Sequence, residues 1–159
     1  MFKMRSATEA DVATIYRFIH ELADYERASH HVKATEDDIR TSLFSDDATA
    51  MGLICEHHGE AVGFAVYFFN YSTWMGKYGL YLEDLYVTPD HRGSGAGRLI
   101  MKTLAKMALE NNCARFEWAV LDWNQPAIDF YHSIGAQEQS EWRTYRLDGD
   151  RLTCFAEQD

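Results

Sequence analysis

Positive charge is scarce in this chain. Its 159 residues carry 15 Lys and Arg against 25 Asp and Glu, a formal net charge of −10. A phosphate-tracking surface needs clustered basic side chains, so this balance argues against nonspecific nucleic-acid binding and against a polybasic membrane anchor. Long apolar runs are missing as well. None approaches the roughly 20 residues of a membrane span, and Met1–Arg5 does not open a signal peptide. Cysteine is sparse and odd in number. Cys55, Cys113 and Cys154 are far apart, no Cys/His spacing resembles a zinc site, and no metal is expected. They read as small hydrophobes in a reducing compartment, which makes the cytoplasm the expected location. The adjacent His57 and His58 stand beside Gly59 and read as a turn. Proline occurs only as Pro89 and Pro126, and there is no Ser/Gly/Pro-rich linker or internal repeat. One domain over residues 1–159 is expected. A hydrophobic fraction of 47% with 14% aromatics excludes intrinsic disorder. What remains is an acidic folded chain suited to a cationic ligand.

Residues 2–7 alternate apolar and polar, as a half-buried strand does. Thr8 and Asp11 then have the spacing of a helix start, and Val12, Ile15, Ile19 and Leu22 carry a helix to about Tyr25. Thr35 caps a second, shorter helix bearing Ile39, Leu43 and Phe44. Residues 50–56 and 61–70, joined by a turn at 57–60, read as a β-hairpin. A strand over 80–88, a glycine-rich loop, a helix over about 95–111 and a strand over 115–121 follow. Asn124-Gln125-Pro126 opens a short helix that reaches His132 and ends at Gly135. Two further strands are expected, near 142–147 and 151–155. The fold class is α+β, with a mixed central sheet flanked by helices.

The most informative stretch runs from Leu82 to Gly97 as strand, turn, loop and helix. Glycines at 93, 95 and 97 let the backbone turn tightly and approach a ligand, and the helix that follows aims free N–H groups and a positive dipole end at it. The window 88–110 holds Arg92, Arg98, Lys102 and Lys106 against Asp90 and Glu110, a local balance of +2 that leaves −12 elsewhere. A basic loop in an acidic chain implies a bound anion. The spacing is neither a P-loop nor the dinucleotide-binding G-x-G-x-x-G. Arg98, Lys102 and Lys106 recur every four residues, as a solvated helix face does.

Arg92-Gly93-Ser94-Gly95-Ala96-Gly97 resembles the R/Q-x-x-G-x-G/A acetyl-CoA loop of the GNAT superfamily of N-acetyltransferases. The resemblance extends over most of the chain to the branch containing the spermidine/spermine (diamine) and thialysine N-acetyltransferases. It is carried by residues 21–26, 63–69 and 80–84, by Ala119-Val120-Leu121-Asp122-Trp123-Asn124-Gln125, by Asp129-Phe130-Tyr131 and by Gly135-Ala136. Residues 119–125 are more similar to the thialysine enzymes.

The resemblance implies a GNAT fold, acetyl-CoA as cosubstrate and transfer of its acetyl group to a primary amine of a polyamine, diamine or thialysine-like amino acid. It implies cofactor contacts at Leu85, Tyr86 and Val87, at Arg92, Gly93, Ser94, Gly95, Ala96, Gly97 and Arg98, and at Asn124 and Tyr131. Substrate contacts carry over to Tyr25, Glu26, Glu83, Glu117, Trp118, Ala119 and Glu141, the last across a segment shorter here than in the relatives. Relatives form homodimers, so a homodimer is expected.

An ammonium with a pKa near 10.4 must lose a proton before it attacks. Glu83, on the acidic strand that leads into the anion loop, is the candidate base, with an electrostatic clamp as its alternative. Asp84, one residue on, alternates to the opposite face and reads as structural. Tyr131 matches the family's general-acid tyrosine, and a phenol with pKa near 10 can protonate a leaving thiolate. Asn124 caps its helix whether or not it also holds the cofactor. Direct attack in a ternary complex is expected, because no cysteine lies in these motifs to carry an acetyl group. Two other classes remain open: acetylation of a protein or peptide, and a regulatory module that binds acetyl-CoA without turnover.

Overall fold

The computed structural model describes residues 1–159. The chain packs as two compact units, Met1–Leu121 and Asp122–Asp159. In the larger unit the order is β1 (Phe2–Ser6), α1 (Val12–Tyr25), α2 (Glu36–Phe44), β2 (Met51–His57), β3 (Glu60–Ser72), β4 (Lys77–Val87), α3 (Ala96–Glu110) and β5 (Arg115–Trp118). Single 3-10 turns precede α1, follow it and lead out of β4. The five strands lie in chain order. β1 to β4 are antiparallel and β5 joins β4 in parallel, which makes the expected mixed sheet.

Local chemistry starts the first two helices. The Thr8 N–H donates to Asp11 Oδ2 at 2.8 Å, and Arg5 donates to both Asp11 oxygens at 2.7 and 2.8 Å, tying β1 to the turn that opens α1. The Arg5 guanidinium, with the Thr8 bonds, holds the Asp11 carboxyl below its ordinary value. Thr35 and Asp38 close a reciprocal pair at α2, with bonds of 2.8 and 3.2 Å.

Both faces of the sheet are covered. Val12, Ile15 and Phe18 of α1 and Ile39 of α2 pack with Ile54, Phe64 and Tyr86, and the Phe18 ring lies 5.7 Å from Phe64. On the other face α3 buries Ile100, Met101, Leu104 and Ala108. Each such large side chain contributes about 1.5–3 kcal/mol. Gly63, beside Phe64 on β3, leaves no room for a side chain. A Cβ there would stand 2.8 Å from the Tyr86 carbonyl oxygen and 3.4 Å from Ile100 Cδ1.

The smaller unit holds α4 (Gln125–Ser133) and α5 (Gly149–Ala156). Here the two expected strands fail. Residues 142–147 form no regular element, and 151–155 lie inside α5. Extended Asp148 starts that helix, the Leu152 N–H donates to the Asp148 carbonyl, and Leu152, Phe155 and Ala156 follow helical spacing. No strand lies alongside to reward the β-forming character of Thr153 and Phe155. β5 is also shorter than expected, stopping at Trp118 instead of Leu121.

Gly63→Ala is expected to destabilise the fold by about 1–3 kcal/mol, because the nearest obstacle is backbone and cannot rotate away. Urea unfolding of the two proteins measures it.

Candidate active site

β5 accompanies β4 for four residues only, from Gly79 opposite Arg115 to Leu82 opposite Trp118. Beyond Leu82 the β5-side edge of β4 has no strand partner, and it carries Glu83, Asp84, Leu85, Tyr86 and Val87. The register of β3 and β4 slips at the same place. Val66 faces Asp84 and Tyr67 faces Leu82, so Glu83 is the extra residue of a β-bulge. A bulge bends its strand and re-aims side chains. Glu83 is exposed, Asp84 and Leu85 are half-buried, and Tyr86 and Val87 are buried.

The free edge runs through the turn Pro89–His91 into the glycine loop. Gly95 ends it at φ 96°, a left-handed conformation that favours glycine, and caps α3 with no side-chain hydrogen bond. The first internal bond of α3 is Leu99 N–H to the Gly95 carbonyl at 3.0 Å, so the amides of Ala96, Gly97 and Arg98 head the helix. Nothing lies within 4 Å of where a Cβ would stand at Gly93, Gly95 or Gly97. An open, uncapped, glycine-lined helix start fits a pyrophosphate. Ser94 Oγ donates to the His91 carbonyl and braces the loop. Arg92 turns back: its Nε donates to the Val87 carbonyl at 3.0 Å, and its guanidinium lies 4.9 Å from the Tyr25 ring centre and 5.5 Å from that of Tyr86.

Carboxylates gather at the bulge. Burial first, then the charges of Glu83 and Glu26, push the Asp84 carboxyl up to about 6. Burial raises Glu26 too, half-buried just past the end of α1. On β5, Glu117 is paired with Arg115 at 2.9 Å and faces Tyr81 across the strands. Burial, Glu83 and Glu117 together push the Tyr81 phenol up. Trp118 ends β5 and exposed Ala119 follows it. The bulge interrupts strict alternation at this point of β4, and Asp84, more buried than Glu83, stays within electrostatic reach of Glu83 and Glu26.

In the smaller unit Asn124 is buried and caps α4, its Oδ1 accepting from the Ala127 N–H at 3.4 Å. Half-buried Tyr131 lies in the last turn of α4, its ring 5.6 Å from Phe130. Glu141 is exposed in a turn. Of the cysteines, Cys55 is buried on β2, Cys113 half-buried and Cys154 exposed on α5. No helix is long and apolar enough to cross a membrane.

Residues 15–136 match the acetyltransferase (GNAT) family. The chain is 40% identical over 164 residues to the thialysine N-epsilon-acetyltransferase of Sus scrofa, covering 96% of each protein. It is 30% identical over 198 residues to the L-ornithine N5-acetyltransferase of Arabidopsis thaliana, covering 96% of this chain and 87% of that one. Among solved structures it is similar to an integron cassette protein from the mobile metagenome of V. cholerae, with a TM-score of 0.82, 28% identity, and 99% and 98% of the two chains covered. The chain belongs to the GNAT family and is an N-acetyltransferase.

Proposed function

We propose that this enzyme, acting as one catalytic domain over residues 1–159, transfers an acetyl group from acetyl-CoA to a primary amine of a small cationic acceptor. The amine attacks directly while both substrates are bound. One observation carries the reading: an unpartnered strand edge leads into an uncapped, glycine-lined helix start, with three carboxylates beside that edge. Amides of Ala96, Gly97 and Arg98 receive the pyrophosphate, and backbone groups of Leu85 and Tyr86 receive the pantetheine arm. The Val87 carbonyl already accepts from Arg92.

Relatives at 40% and 30% identity are named for thialysine and ornithine, both amino acids with a side-chain amine. That puts an amino acid of this shape ahead of a polyamine as the acceptor. Glu83, exposed on the bulge, meets the ammonium. Asp84, raised to about 6, is the group nearest in proton affinity to a base working at neutral pH. The amine nitrogen bonds to the acetyl carbonyl carbon, the carbon–sulfur bond breaks, the amine's proton passes to the carboxylates, and Tyr131 gives a proton to the departing thiolate. The role of Tyr131 rests on the family resemblance and on its phenol chemistry. The acting form is a homodimer, which light scattering checks.

Free CoA thiol is expected on mixing the enzyme and acetyl-CoA with thialysine, ornithine or lysine, and at a lower rate with spermidine, spermine or putrescine. Binding of acetyl-CoA without release for any amine supports the non-catalytic alternative, and mass gain on peptides alone supports a protein acceptor. Tyr131→Phe is expected to lower kcat about 100-fold with acetyl-CoA affinity nearly unchanged, and an unaltered kcat across pH removes it from the acid role. Glu83→Gln is expected to raise the amine KM about tenfold, the size of a lost charge-assisted contact.

The pH dependence follows from Asp84. Its basic form dominates above about pH 6, so kcat/KM for the amine is expected to rise with pH through that value. In Asp84→Asn the rise should vanish, and pH–rate profiles of the two enzymes decide it.

A further inference from the structure

Arg92 stands at the mouth of the glycine loop, yet its side chain serves two other elements. Its Nε is bonded to the last residue of β4, and its guanidinium lies within 6 Å of two ring centres, Tyr86 of β4 and Tyr25 at the end of α1. Cation–π attraction operates at this range. The Tyr86 hydroxyl interacts with the Glu21 carboxylate of α1 as well as with Arg92, and Glu21 Oε2 is buried without a hydrogen-bond partner. Loop, strand edge and the C-terminal turn of α1 are thus joined through one planar cation.

That turn has reason to need the tie. It closes by bonds from the Glu26, Arg27 and Ala28 amides to the Leu22, Asp24 and Ala23 carbonyls, at 2.9, 3.1 and 2.8 Å. To make them Arg27 adopts φ 60°, a left-handed conformation unfavourable for a residue with a Cβ. The same turn presents Tyr25 and Glu26, and Glu26 reaches Asp84 electrostatically.

We propose that Arg92 is a positioning residue that couples the two substrate sites: seated on Tyr25 and Tyr86, it transmits occupation of the glycine loop to the α1 turn that presents Tyr25 and Glu26 to the amine. This rests on the reading of the loop as the coenzyme A site. A loop fixed by a bound pyrophosphate fixes the Arg92 backbone, and the guanidinium then holds the Tyr25 ring and the strained turn behind it. Lysine keeps the charge but lacks the planar fork that lies on two rings while donating to Val87. Binding energy gained at one site reappears at the other by linkage.

Residue-resolved amide hydrogen exchange with coenzyme A as the probe tests this without an amine. In the wild-type enzyme, saturating coenzyme A should slow the amides of Ala96, Gly97 and Arg98, and also those of Glu26, Arg27 and Ala28, the latter about fivefold. In Arg92→Lys, at a concentration shown by calorimetry to saturate it, the loop amides should stay protected while the turn returns to its ligand-free rate. Tyr25→Leu, altered at the other end of the contact, should give the same split. Undiminished turn protection in both variants overturns the coupling, as does wild-type protection confined to the loop. Protection of neither segment overturns the coenzyme A reading itself, and the coupling with it.

Discussion

The parting of β4 from β5 after Leu82 is the constraint on which the rest depends. A parallel pair that stayed together would satisfy every peptide group along the second half of β4 and leave nothing for a ligand. Because β5 stops at Trp118, five residues of β4 keep an edge with no strand partner. Unpaired edges are hazards that proteins cover or keep short. Here the edge ends in a glycine loop and a helix start, so the unpaired backbone of strand, loop and helix runs in one continuous stretch of chain. The bulge at Glu83 falls at the same point, where β4 must follow β3 on one side and leave β5 on the other.

The two faces of the sheet divide the work. α1 and α2 pack on one side, and α1 ends in the turn that carries Tyr25 and Glu26. α3 packs on the other, pressed to the strands at Gly63, and its N-terminus carries the loop. The basic loop therefore heads the layer on one side, the Tyr25–Glu26 turn ends α1 in the layer on the other, and Glu83 and Asp84 lie on the strand between them. This resolves the charge paradox of the chain. A basic loop inside an acidic protein requires a scaffold that keeps the two signs on separate elements until they reach the site.

Much of this was legible before any coordinates. The glycine spacing, with the acidic strand ahead of it and the helix after it, marked the strand–loop–helix passage, and Thr8 with Asp11 and Thr35 with Asp38 marked two helix starts. What escaped was geometry that residue types do not encode. The bulge at Glu83 contains neither glycine nor proline, so nothing in the residue types announces the slip of register there. Arg92 appeared as the first letter of a loop motif, and nothing local to it announces Tyr25, 67 residues earlier in the chain. The C-terminal stretch misled for the opposite reason: its β-branched and aromatic residues read as strand, while residues from Gly149 onward form a helix. Local propensity is a weak guide where no neighbouring strand is present to reward it.

The crowding of Glu26, Glu83 and Asp84 has a consequence for the protein when nothing is bound. An Asp carboxyl raised from 3.8 to about 6 keeps its proton longer in the folded chain than in the unfolded one. Folding stability therefore falls as pH climbs between those values, by an amount on the order of 3 kcal/mol, and stays lowered at neutral pH. A proton relieves this frustration, and so does any cation brought among the three carboxylates. The empty enzyme is thus a poised state, less stable than its fold allows. On the proposed reading acid and amine compete to relax it, and selectivity for positive charge is the outward form of that internal discomfort.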